Sequence, residues 1–557
     1  MSKVYGCRAR PCQGRALLMC EQLSYAMGDK QLFKNILLSF GKEKTGLVGA
    51  NGTGKTTLLR LLVGELPLQD GVVHTNGSIG YMPQNFVINQ QQTIAEVFGI
   101  DQKIAALERI NTGQGNQHDF EIMEEDWPAG RSLGGDWDFL ERTQDVLQRC
   151  GLGDLEVSRL IKTLSGGQTT RVFFARLLMS RSDFLILDEP TNNLDSESRA
   201  ALYEVIKSFD GGILVVSHDR QLLALMDQIV ELSSLGVKTY GGNYFDYVEQ
   251  KRVEQEALAQ DVVDAHKQQG KTKKTVQQSK EKYDQRVKQG NRVRRRGGQP
   301  KSFLDFKKGR AEVTKSKLEA KSDKQLAMVS NTLAMAKLKL EQRELLDFEL
   351  EATRVHNTKM VLDIQDLMFA YPGHEPIISD FNLTLIGPRR IAIAGKNGSG
   401  KTTVLKLIMG QHVPTGGSIK VGVEHWAYLD QTLSVLHADQ TVLENFRWLN
   451  PTVLETDCRV RLAAFLFAHD DALKRVDVLS GGEKMRAALA CVLMGDTPPQ
   501  LILLDEPTNN MDLESIVGME RALRSYKGAL IAVSHDATFL ENVGIKEEIT
   551  ISKIVEK

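Results

Sequence analysis

"LVGANGTGKTTLL" at residues 47–59 and "IAGKNGSGKTTVL" at residues 393–405 are one pattern written twice. Each fits GxxxxGK[ST], with an apolar run before it and a helix-favouring run after it. A single short match of this kind is weak, and the neighbouring motifs decide what it means. "YMPQ" and "YLDQ" follow, then "LSGGQ" and "LSGGE", then "FLILDEPTNNLD" and "LILLDEPTNNMD", then "VVSHD" and "AVSHD". The offset is 346 residues at Lys55 and Lys401, and 317 at both Glu189/Glu506 and His218/His535. Five motifs in one order make a repeated unit. The copies differ mainly by about thirty residues inserted in the first between Gln84 and Ser165.

The residue types fit phosphate chemistry. Gly49, Gly52 and Gly54, and Gly395, Gly398 and Gly400, keep side chains out of the way of backbone N–H groups, and a helix N-terminus follows. Asn51, Thr57, Asn397 and Thr403 complete the two ATP-binding runs, and Lys55 and Lys401 add positive charge for the β and γ phosphates. Thr56 and Thr402 offer hydroxyls to Mg2+, a cation that prefers oxygen ligands. "FLILDE" and "LILLDE" read as buried strands whose ends carry two acids, with Asp188 and Asp505 holding Mg2+ through water.

This set resembles the ATP-binding cassette ATPases, to which the LSGGQ-type signature ahead of an apolar strand and DE pair is specific. The resemblance implies an α/β fold: two P-loop ATP-binding cassettes in tandem, over residues 17–243 and 358–557. It implies that Glu189 and Glu506 orient and polarise the attacking water, and that His218 and His535 contact the γ-phosphate. Gln84 and Gln431 sense Mg2+ and that water, and Asn193, Asp195, Asn510 and Asp512 form the D-loops. Ser165, Gly166, Gly167 and Gln168 are expected over the nucleotide held by Lys401, and Ser480, Gly481, Gly482 and Glu483 over that held by Lys55. Two positions break the symmetry. Tyr371 is placed to stack on adenine in the second copy, whereas the first has Met27 there and Tyr25 two residues away. Glu483 puts a carboxylate where the first signature has Gln168.

The bulk composition is that of a globular chain: 41% hydrophobic and 25% charged over 557 residues, with a formal net charge of −1. No apolar stretch approaches the ~20 residues that span a bilayer, and the basic first twenty residues contain no apolar secretory core. A cytoplasmic protein is expected. The six cysteines form no CxxC pair and read as incidental thiols, and residues 1–16 carry no legible function.

Residues 244–357 match neither cassette. They are rich in Lys, Glu, Gln and Ala, interrupted by "GNRVRRRGGQPKSF" at 290–303, so a helix, a tight tip and a second helix are expected. Leu326, Val329, Leu333, Ala336 and Leu340 stripe the second arm and Leu258, Val262 and Ala265 the first. From His266 to Lys324 there are 20 Lys and Arg against 6 Asp and Glu. A charge run is commonly a solvated face. Here the density peaks at Arg292, Arg294, Arg295 and Arg296, followed by Lys301, which suits RNA phosphates.

Tandem cassettes joined by a long basic helical hairpin are similar to the ABC-F family. "YGGNYFDYVEQK" at 240–251 is similar to that family's lead into the linker, although "TNN" stands where many members have "TNH". The likeness implies an ATPase that binds the ribosome when ATP-bound and closed, and a monomer is expected because both halves of each ATP site lie on one chain. It would act through the linker tip on P-site tRNA or rRNA, in translation regulation or in ribosome protection against antibiotics. An ABC transporter's ATP-binding subunit and a DNA- or RNA-remodelling ATPase are the alternatives. The insertion, about residues 100–137, reads as a small arm, with Trp127 and Trp137 as packing or contact residues.

Overall fold

The repeat dictates two similar halves. A computed structural model describes residues 17–28, 30–84, 89–124, 137–180, 182–192, 194–233, 236–295, 324, 328, 330, 355–430, 432–509 and 511–551. The chain divides into two units, Met1–Tyr247 with Leu346–Lys557, and Val248–Leu345.

The first copy runs β1 (Leu18–Met27), β2 (Lys30–Phe40), β3 (Lys44–Val48), α1 (Lys55–Leu62), β4 (Asp70–Thr75), β5 (Ile79–Met82), α2 (Ile94–Phe98), α3 (Asp101–Asn111), α4 (Gln117–Glu124), α5 (Phe139–Arg149), α6 (Gly166–Met179), β6 (Phe184–Asp188), α7 (Ser196–Ser208), β7 (Gly212–Val216), α8 (Arg220–Leu223), β8 (Gln228–Ser233) and β9 (Gly236–Gly241). After α9 (Tyr244–Arg295), the second copy runs β10 (Met360–Phe369), β11 (Ile378–Ile386), β12 (Arg390–Ala394), α10 (Lys401–Ile408), β13 (Gly416–Val421), β14 (Trp426–Leu429), α11 (Val442–Leu449), α12 (Glu455–Ala464), α13 (Gly481–Leu493), β15 (Leu501–Asp505), α14 (Leu513–Ser525), β16 (Ala529–Val533), α15 (Ala537–Asn542) and β17 (Glu547–Thr550).

Each copy pairs a small antiparallel sheet, β2-β1-β4 or β11-β10-β13, with a mainly parallel one, β5-β6-β7-β3-β8-β9 or β14-β15-β16-β12-β17. The apolar runs of β6 and β15 are buried at every residue, as a parallel strand covered on both faces must be. Strand order positions the site. In β5-β6-β7-β3 the strands run parallel, so the loops carrying Gln84, Glu189, His218 and the first phosphate loop leave neighbouring carboxyl ends. Order β14-β15-β16-β12 repeats this in the second copy.

Helices α2, α5 and α6 build a core with Phe98, Phe139 and Phe174 beside the strand residue Leu187, and Leu513 of the second copy joins it. In the insertion, α3 and α4 pack on each other, and Arg109 reaches the buried Asp119 at 2.5 Å. Residues 125–136, including Trp127, lie outside the described residues.

Helix α9 holds 52 residues and differs from the expected break at Gly290, for it continues to Arg295. An interior glycine costs only about 1 kcal/mol relative to alanine, too little to end a helix by itself. Arg292 is exposed; Arg294 and Arg295 are helical as well, at the last described residues of α9. Arg296, Lys301 and the rest of the expected tip lie outside the described residues, as do the stripe residues Leu326 to Leu340; Lys324, Met328 and Ser330 are helical.

Candidate nucleotide site

The phosphate loops adopt the conformation that their glycines allow. Gly49, Gly52 and Gly54 have φ of 156°, 76° and 97°, and Gly395, Gly398 and Gly400 repeat these at 153°, 76° and 98°. A Cβ on Gly54 would meet the Phe33 ring at 2.8 Å, whereas one on Gly52 or Gly398 would project into open space, where a ligand can approach the backbone. Lys55 Nζ donates to the Gly49 carbonyl at 2.7 Å, and Lys401 Nζ to that of Gly395 at 2.8 Å. Burial pulls the pKa of both lysines down, and nearby carboxylates, Glu189 and Asp512 for Lys55 and Glu506 for Lys401, oppose it.

Glu189 and Glu506 have φ of 50° and 47°, left-handed values that non-glycine residues rarely adopt. Each amide still donates to the neighbouring strand, to Val216 and Val533 at 2.8 Å, so the turn is anchored as it bends away. His218 Nε2 lies 3.1 Å from Glu189 Oε1, and His535 Nε2 lies 3.4 Å from Glu506 Oε1. Burial raises the pKa of both carboxyls, Glu506 to about 7. Burial lowers His218 to about 3 and His535 to about 4, so both imidazoles are neutral at physiological pH.

The oxygen donors fit Mg2+. Both carboxylate oxygens of Asp188 are buried without a hydrogen-bond partner, and burial raises its pKa against the pull of the Lys55 charge. Asp505 accepts from Thr402 Oγ1 at 3.2 Å and from Tyr428 Oη at 3.1 Å. Among the described residues no three His, Cys, Asp or Glu side chains gather as a metal site. Gln84 is described just beyond the end of β5, whereas Gln431 lies outside the described residues, as do Asn193 and Asn510.

Ser165 and Ser480 cap α6 and α13 in capping boxes with Gln168 and Glu483. Glu483 Oε2 accepts from the Ser480 amide at 2.9 Å and its hydroxyl at 2.7 Å, so the carboxylate turns back on its own helix. Gly167 and Gly482 let these helices approach Ser198 and Ser515. Tyr371 packs edge-on against Phe369 and His412, and its hydroxyl lies 3.3 Å from Thr403 Oγ1. Tyr25 packs on Phe33 and Met27 is exposed.

The copies meet at these loops. Asn51 donates its amide to Asp512 Oδ2 at 2.9 Å, and Asn397 does the same for Asp195. Lys396 pairs with Glu197 at 2.8 Å. Motif reading missed a second contact layer: Arg220 reaches Glu520 at 2.7 Å, both buried. The signal was present in the repeat, since Arg220 aligns with Ala537 at the 317-residue offset.

Among the described residues no helix is long and apolar enough to cross a membrane. The ABC transporter family matches residues 34–192 and 378–509. The energy-dependent translational throttle protein EttA of Mycobacterium tuberculosis (strain CDC 1551 / Oshkosh) is 31% identical over 93% of this chain and 88% of that one. ABC transporter F family member 5 of Arabidopsis thaliana is 30% identical over 90% of this chain and 70% of its own. A solved complex of archaeal ribosomal stalk protein aP1 with the archaeal ribosome recycling factor aABCE1 shares the fold at a TM-score of 0.50, with 19% identity over 95% of this chain and 87% of that one.

Proposed function

The chain belongs to the ABC-F family of ATP-binding cassette ATPases, and from that premise we propose that it is a cytoplasmic, monomeric translation factor acting on the ribosome. It binds in the ATP-bound, closed state and acts on P-site tRNA or neighbouring rRNA through the segment 244–357. The observation that carries this reading is the reciprocal docking of each phosphate loop on the other copy's D-loop aspartate, Asn51 on Asp512 and Asn397 on Asp195. This docking supports one chain closing around two ATP molecules by itself. The translational role named for the Mycobacterium tuberculosis relative supports the ribosome as target.

In this mechanism Lys55 and Lys401 exchange loop carbonyls for β- and γ-phosphate oxygens. Thr56, Asp188 and Gln84 would hold one Mg2+, and Thr402, Asp505 and Gln431 the other; when bound, the ion neutralises phosphate charge. Glu189 and Glu506 orient the attacking water and accept its proton, and the neutral imidazoles of His218 and His535 donate to the γ-phosphate. Tyr371 stacks on adenine at the second site. The signature residues Ser165 to Gln168 close over the nucleotide at Lys401, and Ser480 to Glu483 over that at Lys55. Loss of the γ-phosphate removes the ATP-mediated contacts that strengthen the joint between the cassettes, and the chain leaves the ribosome.

Arginine suits RNA phosphate because its planar fork bonds two oxygens at once. Alanine at Arg294, Arg295 and Arg296 together is expected to lower ribosome-stimulated ATPase activity and leave nucleotide binding unchanged. Full stimulation of that variant contradicts a role for the basic tip.

A further inference from the structure

The contact layer beyond the ATP sites is lopsided. Following His218, Asp219 caps α8, accepts from the Tyr203 hydroxyl and lies 3.7 Å from Arg199. The first switch turn is therefore held by residues of its own cassette. At the 317-residue offset, Arg199, Tyr203 and Arg220 become Ile516, Glu520 and Ala537. The second switch turn, His535 and Asp536, has neither arginine in its own copy.

The first cassette supplies what is missing. Arg220 Nη1 donates to Glu520 Oε1 at 2.7 Å, and Asn542 Nδ2 donates to Glu520 Oε2 at 3.0 Å. Asn542 is the last residue of α15, the helix that Asp536 caps through the Phe539 amide. An unbroken chain of contacts thus runs from the first switch turn through Arg220, Glu520 and Asn542 to the helix that begins at the second. Arg220 and Glu520 are both buried, so neither can exchange its partner freely for water. We propose that Arg220, through Glu520 and Asn542, is a positioning residue for the second ATP site, making hydrolysis there depend on the first cassette without an equivalent dependence in return. The fields agree with this direction: against the effect of burial, Arg220 and Arg199 both favour the charged form of Asp536.

The proposal rests on Glu189 and Glu506 being the residues that activate water, and the test separates the two ideas. Single-turnover hydrolysis of labelled ATP, with the full chain in excess, is measured in Glu189→Gln, where the second site works, and in Glu506→Gln, where the first does. Adding Arg220→Gln is expected to slow the Glu189→Gln chain at least ~10-fold, the scale of a misaligned catalytic group, and the Glu506→Gln chain less than about 2-fold. Arg220→Lys, which keeps the charge, is expected to recover part of the lost rate, and thermal unfolding establishes that each variant is folded. Equal slowing in both backgrounds, no slowing in either, or no recovery with lysine overturns the relay. A wild-type rate in either Glu→Gln chain before Arg220 is changed instead overturns the assignment of the glutamates.

Discussion

Asn51 and Asp512 are 461 residues apart in sequence and joined by a 2.9 Å hydrogen bond, from the first phosphate loop to the second D-loop. Asp512 does two jobs, because its other oxygen accepts from the Ser515 amide at 2.9 Å and caps α14. Asp512→Ala should therefore lose about 1 kcal/mol of stability from the cap. It should also lose ATP turnover beyond what that destabilisation explains. Urea unfolding and steady-state ATPase assays read the two effects separately, and normal turnover in the folded variant contradicts the docking role.

Burial of Glu506 gives a pH signature. Its carboxyl, ordinarily near 4.5, is raised to about 7 in the folded chain, which therefore holds a proton that the unfolded chain has released between those values. Stability from this group falls as pH rises through that window. In the nucleotide-free chain, Glu506→Gln should be more stable than wild type at pH 8 by on the order of 1–3 kcal/mol, with the difference vanishing near the unfolded value. Conversely, kcat/KM at the second site should rise with pH through about 7, since the carboxylate proposed to activate water must be ionised. A flat profile in the Glu189→Gln chain contradicts this.

The two signature glycines should differ in tolerance. A Cβ on Gly482 would stand 1.7 Å from Ser515 Oγ and 2.6 Å from its Cβ, whereas one on Gly167 would stand 3.2 Å from Ser198 Oγ. Gly482→Ala should push α13 off α14, at a cost in the ~1–3 kcal/mol range of overpacking, and impair closure. Gly167→Ala should be milder in both thermal unfolding and ATPase activity. Equal losses would mean that the tighter approach at Gly482 sets neither packing nor closure.

The Ser480 hydroxyl donates its hydrogen bond to Glu483 Oε2 at 2.7 Å, so in this arrangement it is not free to donate to a phosphate. Gln168 caps Ser165 through its side-chain oxygen at 3.0 Å without a carboxylate. Glu483→Gln should keep the cap, remove a negative charge and tighten ATP at the Lys55 site, measured as a lower KM in the Glu506→Gln background. An unchanged KM means that Ser480 and Glu483 do not face that nucleotide.

The fold class was legible because phosphate binding confines glycine, lysine and acidic residues to fixed spacings, and the chain states the pattern twice. The strand order that gathers Gln84, Glu189, His218 and the phosphate loop follows from parallel pairing once those motifs are placed on β5, β6, β7 and β3. Other features leave no local mark. Nothing in "LDEP" announces a left-handed glutamate, because the conformation is held by a hydrogen bond from its amide to the adjacent strand. Helix α9 runs past the expected break because a single glycine, Gly290, costs too little to stop a helix. The Arg220–Glu520 contact pairs residues 300 apart that belong to no motif, and only the mismatch between aligned copies hints at it.

If ATP closes the cassettes on the ribosome and hydrolysis releases them, a chain that binds ATP without hydrolysing it must stay bound. Sedimentation of the Glu189→Gln, Glu506→Gln double variant through sucrose with ribosomes and ATP tests this most directly. Blocked hydrolysis should trap the complex, so the variant should travel with ribosomes when ATP is present and remain at the top of the gradient without it. A double variant that binds ATP and still fails to travel with ribosomes contradicts the account.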